Sequence, residues 1–306
     1  MIDLHTHTIH SDGSDSTKQL LLNAENQGLE YLSITDHDSV GAYKDLKDSN
    51  VRNVFSGKII PGVELTAVYN GELVEVLGYG IDTDATFDYI DKHITAFIGS
   101  LPQQSILYMK AFAKYGVKFT PEFEYLATYK PEKLFETTIA YSQKLYLDDM
   151  RKFPENAKFF DSYEHMMTIS EKDFTRLFIY NPKSTLYVDL SPLFISLDKA
   201  VEIIHNMGGL AFFAHTYVYS NTIADCLEDI VTNHKLDGLE VSYTTFTNEQ
   251  TDNLKNICKQ NNLLMSCGSD YHGLDIKPAN FLGKGTQGNI LSNDYILPWA
   301  DKIKTI

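Results

Sequence analysis

Arginine is scarce in this 306-residue chain: only Arg52, Arg151 and Arg176 occur, against 41 acidic residues and a formal net charge of −15. A bidentate guanidinium clamp on phosphate is therefore in short supply. The same charge balance, with a pI near 5.0, argues against long-range attraction to a nucleic-acid backbone unless bound cations supply local positive charge. Cysteine is nearly absent too. Cys226, Cys258 and Cys267 form an odd set without C-x-x-C spacing, which excludes a disulfide framework and fits free thiols in a reducing, cytoplasmic compartment. The chain has no apolar run long enough to span a bilayer, and no basic segment leading into an apolar one at its start. No export and no membrane partner is expected. The 43% hydrophobic content is ample for a core, and the length allows one elaborated domain or two.

What the chain does have begins at once. Residues 3 to 13, Asp3-Leu-His-Thr-His-Thr-Ile-His-Ser-Asp-Gly, open as a short buried strand that carries His5 and His7 two positions apart. On a strand, i and i+2 face the same way, so two imidazoles can grip one metal ion while Asp12 reaches a second position from the loop. An isolated H-x-H equally well lines a polar strand end. The rest of the chain must decide.

Strand and helix then alternate. Leu20, Leu21 and Ala24 recur at helical spacing over Thr17–Gln27, with Ser16 or Thr17 as N-cap and Gly28 as stop. Tyr31–Thr35 reads as a strand running into Asp36-His37-Asp38, and a short helix through Tyr43 and Leu46 follows. The next strand, from Lys58, delivers Glu64. In the one after it, Glu72–Gly78, Leu73, Glu75 and Leu77 share a face. A carboxylate between two leucines implies either an edge strand facing water or a group held by something positive. From about 84 to 192 the pattern becomes amphipathic and aromatic, as in Ile90, Ile94 and Phe97 or Ile106 to Tyr115, and predicts a helical insertion whose His93 and His165 are solvated. Alternation resumes with a helix Leu197–Met207, a strand Leu210–Ala214 delivering His215, a strand Gly238–Val241, a helix Asn248–Asn261 and a strand Leu263–Cys267 delivering Asp270 and His272.

In barrels built this way, groups at the carboxyl ends of successive strands converge on one face. His5, His7, Asp12, His37, Glu64, Glu75, His215, Asp270 and His272 all arrive at such ends. Every one is a nitrogen or oxygen donor, and Cys267 reads as core, so the expected ions are Zn²⁺, Mn²⁺ or Fe²⁺.

His5-x-His7, Ser11-Asp12-Gly13, Thr35-Asp36-His37, Gly62-Val63-Glu64, Ala214-His215 and Gly268-Ser269-Asp270-x-His272 together resemble the motifs of the PHP family, the polymerase and histidinol phosphatase phosphoesterases. The likeness covers residues 1–82 and about 193–290. It implies an α/β fold, a distorted seven-stranded (β/α) barrel over 1–83 and 193–306, with a mostly helical insertion at 84–192 acting as a cap. It implies two or three divalent ions as cofactors: His5, His7, Glu64 and Asp270 on the first, Glu64 and His215 on the second, Asp12, His37 and His272 on the third. The catalytic burden falls on His37, Asp270 and His272. Glu75 stands where the family usually has a histidine, which adds negative charge and favours Mn²⁺. His215 is followed by Thr216 where the family commonly has proline.

The function so implied is metal-dependent hydrolysis of a phosphate monoester of a small metabolite. The expected substrate is a small nucleotide, a 3′,5′-bisphosphate or the 5′ end of a short oligonucleotide, and no long nucleic acid. Histidinol-phosphate phosphatase is the second reading, and a metal-binding regulatory module disabled by Glu75 the third. Lys277, Lys284 or residues of the insertion are left to bind phosphate, and Tyr108, Phe112 and Tyr115 either stack on a base or form the core of the insertion. His10 is either the proton donor to the leaving group or an exposed loop residue.

Overall fold

The computed structural model describes residues 1–94, 97–121 and 143–306. Residues 95–96 and 122–142, within the span expected to be an insertion, lie outside the described residues. Strands β1 (Ile2–Asp3), β2 (Tyr31–Ile34) and β3 (Lys58–Tyr69) pair parallel in chain order, Ile2 opposite Tyr31 and Ile34 opposite Pro61. The turn Asn70-Gly71, with φ of 50° and 82°, leads from β3 into β4 (Glu72–Tyr79). Positive φ at both turn residues gives the twist a tight hairpin needs. Strand β5 (Ile195–Ser196) pairs with β3 off the main path. Strands β6 (Leu210–Phe213), β7 (Gly238–Ser242) and β8 (Leu264–Cys267) complete the sheet, parallel to one another.

The order β1-β2-β3-β4-β6-β7-β8 gives seven strands. Its two ends meet, because Leu4 N donates to Cys267 O at 3.2 Å, His7 N to Tyr271 O at 2.8 Å, and Thr6 bridges Tyr271. The distorted seven-stranded barrel is thus closed by the segments that carry His5, His7, Asp270 and His272. One strand is reversed: β4 pairs antiparallel with β6, Val76 opposite Phe213.

The helices form where spacing and caps predict. Thr17–Gln27 is capped by Ser16, whose side chain accepts from Gln19 N, and ends at Gly28 in the left-handed region. It buries Leu20, Leu21 and Ala24, each large side chain contributing about 1.5–3 kcal/mol of burial. Thr247 and Gln250 form a reciprocal capping box at the start of Asn248–Asn261. The barrel core is packed by Ile2, Leu4, Ile60, Leu77, Tyr79, Phe212 and Trp299 among others, all at most 1% exposed.

The chain divides into two compact units. The first, Met1–Ala67, Val74–Ile98 and Ile195–Ile306, contains the barrel. The second is Val68–Leu73 with Gly99–Phe194, and its helices include Gln143–Met150 and Tyr163–Thr168. Its own core encloses Tyr108 and Phe112, whose rings meet Tyr146 edge-on with centroids 5.5 and 5.8 Å apart. These two are core aromatics and not exposed stacking platforms, the second of the two readings the sequence offered for them. The half-buried Tyr115 donates its hydroxyl to Tyr187 O at 3.0 Å. Among the described residues no helix is long and apolar enough to cross a membrane.

Candidate metal centre

The ladder of β1 stops at Asp3, two residues before His5. Beyond it the chain stays extended by alternating its partners, Thr35 N donating to Thr6 O and Tyr271 N to His5 O. Extended geometry preserves the i, i+2 relation. His5 and His7 are therefore fully buried with ring centroids 5.2 Å apart.

Around them the other expected residues assemble. Four sets have ligand atoms within 4.8 Å of one another: His7, Asp12, His37 and His272; His5, Glu64 and His215; His5, His7 and Asp270; His37, Glu64 and Glu75. Glu64 sits at the middle, its Oε2 3.1 Å from His5 Nε2, 3.3 Å from His7 Nε2 and 3.2 Å from His37 Nδ1, its Oε1 3.2 Å from His215 Nε2. All nine residues read from the sequence are brought together. His7 touches two sets, a sharing the spacing of motifs did not imply.

Glu64 itself lies inside its strand, because β3 runs on to Tyr69, which corrects its placement near a strand end; Glu75 is also inside a strand, and that strand runs the other way. Because β4 runs against its neighbours, the carboxyl end of the strand points away from the site and Glu75 enters from its middle, which corrects its assignment to a strand end. Its Oε2 lies 3.2 Å from His215 Nε2 and its Oε1 3.6 Å from His37 Nδ1. The side chain is 23% exposed, so its charge is only partly desolvated.

A divalent cation fits this set on two grounds. His7 Nε2 and His272 Nε2 are buried without a hydrogen-bond partner, yet the first lies 3.2 Å from Asp270 Oδ1 and the second 3.2 Å from Asp12 Oδ1. Nitrogens that face carboxylates without bonding to them leave lone pairs and anions converging on one point. For His272 the tautomer is settled: Nδ1–H donates to the Asp270 carbonyl at 3.0 Å, leaving Nε2 as the donor atom. Burial and the neighbouring His7 hold this imidazole below its usual pKa. Protonation shows the second ground. Burial would lower His7 and His215, but Asp270 and Glu64 raise the first to about 9, and Glu64 and Glu75 the second to about 10. The cluster demands positive charge.

Several supporting groups escaped the sequence reading. Glu240, Tyr243 and Asp3 are buried behind the ligands. Tyr243 donates its hydroxyl to Asp270 Oδ2 at 2.7 Å, and the Lys277 ammonium reaches the same oxygen at 2.6 Å. Asp3 accepts from Ser269 N and Oγ, Gly283 N and His5 N, which ties the first strand to the Asp270 loop, while burial pushes its carboxyl up to about 6. A carboxylate inside an apolar strand, as in Gly238-Leu-Glu-Val-Ser, is the signal that could have found Glu240. His215 and Asp270 have φ of 22° and 54°, a backbone strain typical of residues held for function.

Other candidates are committed elsewhere. His10 Nε2 is 2.8 Å from Asp45 Oδ2, which also accepts from Thr17. Arg52 donates to the Phe55, Gly57 and Ile306 carbonyls, Arg151 to those of Met166 and Ile169, and Arg176 to Asp173. Lys284 lines a separate cavity with Asn23, Tyr271 and Phe281. His93 is exposed, and the half-buried His165 lies 3.0 Å from Asp161.

The PHP domain model matches residues 3–187, a span that includes His5, His7, Asp12, His37, Glu64 and Glu75. The chain belongs to the PHP domain family. As a PHP protein it is a metal-dependent phosphoesterase, and the phosphoester chemistry read from its motifs holds. It is 24% identical over 273 residues to the 5′-3′ exoribonuclease Rnm of Escherichia coli, covering 88% of this chain and 84% of that one. It is 33% identical over 85 residues to the phosphoribosyl 1,2-cyclic phosphate 1,2-diphosphodiesterase of Eggerthella lenta, covering 27% of this chain and 32% of that one. In fold it is similar to an amidohydrolase from Chromobacterium violaceum, with a TM-score of 0.60 at 20% identity over 94% of this chain and 92% of that one.

Proposed function

We propose that this chain hydrolyses the phosphoester at the 3′ oxygen of the 5′-terminal nucleotide of a short oligoribonucleotide, releasing that nucleotide, and that a 3′,5′-bisphosphate, in which the same ester is a monoester, is the smallest form of the substrate. The observation that carries the reading is the overlap of the ligand sets through Glu64 and His7. In this reading His5, His7, Glu64 and Asp270 hold one ion, Glu64, Glu75 and His215 a second, and Asp12, His37 and His272 a third. Ions so held would supply Lewis acidity and a nucleophile at neutral pH.

The chain's own groups do the rest. Asp270, gripped by Tyr243 and Lys277, cannot swing away when a substrate anion approaches. The half-exposed Lys277 ammonium offers a terminal phosphate its cation, in place of the committed arginines. A net charge of −15 supports recognition of a chain end over recognition of a long backbone. The name of the Escherichia coli relative points the same way.

The helical insertion is read as helping to choose the substrate. Replacing it by a short linker should change the preference between nucleotide and sugar phosphates; an unchanged preference would remove that role. The main test incubates the purified chain and Mn²⁺ with 5′-phosphorylated oligoribonucleotides, histidinol phosphate and an aryl phosphate. Stepwise release of nucleotides from the 5′ end is expected. Cleavage of histidinol phosphate alone would favour the monoesterase reading, and no turnover of any substrate by metal-loaded protein would favour a regulatory module.

A further inference from the structure

We propose that Glu240 is a positioning residue that fixes His5 and His215 together and thereby sets the affinity of the metal positions sharing Glu64. This rests on the metal-binding reading above and adds to it a residue outside the ligand sets.

Glu240 lies in β7, fully enclosed. Its Oε1 is 2.9 Å from His5 Nδ1, and its Oε2 accepts the backbone N–H of His215 at 2.8 Å. Each oxygen thus serves a different ligand. Carboxylates face both ring nitrogens of His5, Glu240 at Nδ1 and Glu64 at Nε2, and a cation taken at Nε2 would leave Nδ1–H to Glu240. With Nδ1–H donated to Glu240, the lone pair of His5 is on Nε2, the atom 3.1 Å from Glu64 Oε2 and 3.6 Å from Asp270 Oδ1. A carboxylate behind a ligating imidazole fixes its orientation and raises its basicity. The contact with His215 acts on the backbone. At φ 22° this residue sits in a conformation its own sequence does not favour, and the hydrogen bond from its N–H helps to hold it there.

Local geometry shows how one strand supplies this. The register of β7 against β8 shifts between Glu240 and Ser242, Glu240 pairing with Ser266 and Ser242 with Cys267. In a regular strand residues 240 and 243 would face opposite sides. The bulge at Val241 resets the alternation, so that Glu240 reaches His5 and Tyr243 reaches Asp270. Ser242 meanwhile turns to Thr286, with the two hydroxyls 3.1 Å apart. A buried carboxylate there is costly unless fully bonded, and its two oxygens are both used.

The test titrates chelator-stripped wild type, Glu240→Gln and Glu240→Asp with Mn²⁺ by calorimetry, with melting in chelator as the control for folding. A glutamine has one acceptor oxygen for two donors, so Glu240→Gln should bind at least one ion about 10–100-fold more weakly. Glu240→Asp keeps both acceptors and the charge and should recover part of that loss. Wild-type affinity in Glu240→Gln overturns the proposal, as does a drop in melting temperature with unchanged Mn²⁺ binding, which would mark a purely structural role. If Glu240→Gln does not fold, Glu240→Asp decides on the same terms, wild-type Mn²⁺ affinity overturning the proposal. Failure of wild type to bind Mn²⁺ or Zn²⁺ would instead sink the metal-binding reading itself.

Discussion

Gly268 faces His5 so closely that a Cβ on residue 268 would lie 2.1 Å from the His5 Cβ and 2.8 Å from its backbone nitrogen. Neither atom can move without moving the strand that carries the first ligand. Gly268→Ala should therefore destabilise the chain by about 1–3 kcal/mol and lower its metal content, measured by thermal melting and elemental analysis on the same sample. Full metal occupancy in this variant would show that His5 tolerates displacement.

His5 and His7 share one face and three of the four ligand sets between them. The double variant His5→Ala with His7→Ala should lose at least one metal equivalent per chain, read by elemental analysis after extensive dialysis. Unchanged metal content would remove both residues from the ligand list.

Glu75 is the position at which this chain departs from the histidine its family usually has. With its oxygens 3.2 Å from His215 and 3.6 Å from His37, Glu75→Ala should weaken the second ion and lower activity together. Glu75→His should shift the preference from Mn²⁺ toward Zn²⁺, since a neutral imidazole replaces a hard anionic oxygen. Metal titrations of activity in wild type and both variants check this, and identical metal dependence in wild type and Glu75→Ala would rule out the ligand role.

Metal removal should make stability depend on pH in one direction. In the metal-free chain His7 and His215 are raised from 6.5 to about 9 and about 10. A raised imidazole stabilises the fold fully below its unfolded value near 6.5, and that contribution is lost as pH rises through the folded value. The melting temperature of chelator-stripped protein should thus fall between pH 6.5 and 10, and added Mn²⁺ should restore more at the alkaline end. A flat profile without metal would contradict the charge balance described here.

Much of the barrel was legible because its signals are local. Ser16 and Gly28 bracket their helix, and His37, Glu64, His215 and Asp270 each follow or end an apolar run that could only be strand. What stayed hidden depends on pairing. Alternation along Glu72–Tyr79 is the same whichever way the strand runs, and the one mark of the reversal, the Asn70-Gly71 pair whose positive φ values make the tight turn, went unread. Glu240 and Tyr243 were missed because a period-2 reading separates them, and only the register shift opposite Ser266 and Cys267 reunites them. Tyr108 and Phe112 look the same in sequence whether they line a cleft or fill a core. Their enclosure was visible only in three dimensions.

The hairpin of β3 and β4 has a consequence for how the chain folds. Glu64 and Glu75 are brought within 4.8 Å of each other and of His37 by a tight local turn, an event on the order of microseconds. His215 and Asp270 can join only after a far longer stretch of chain has been ordered, and such distant contacts form slowly. For that interval two carboxylates are held side by side ahead of most of their partners, and the hairpin is self-repelling. A cation present during refolding would quench that repulsion early, acting on the rate of assembly as well as on the finished site. Refolding followed by stopped-flow fluorescence of Trp299 should accelerate with Mn²⁺ in wild type and much less in Glu75→Ala, and equal acceleration in both would separate the hairpin from the rate-limiting step.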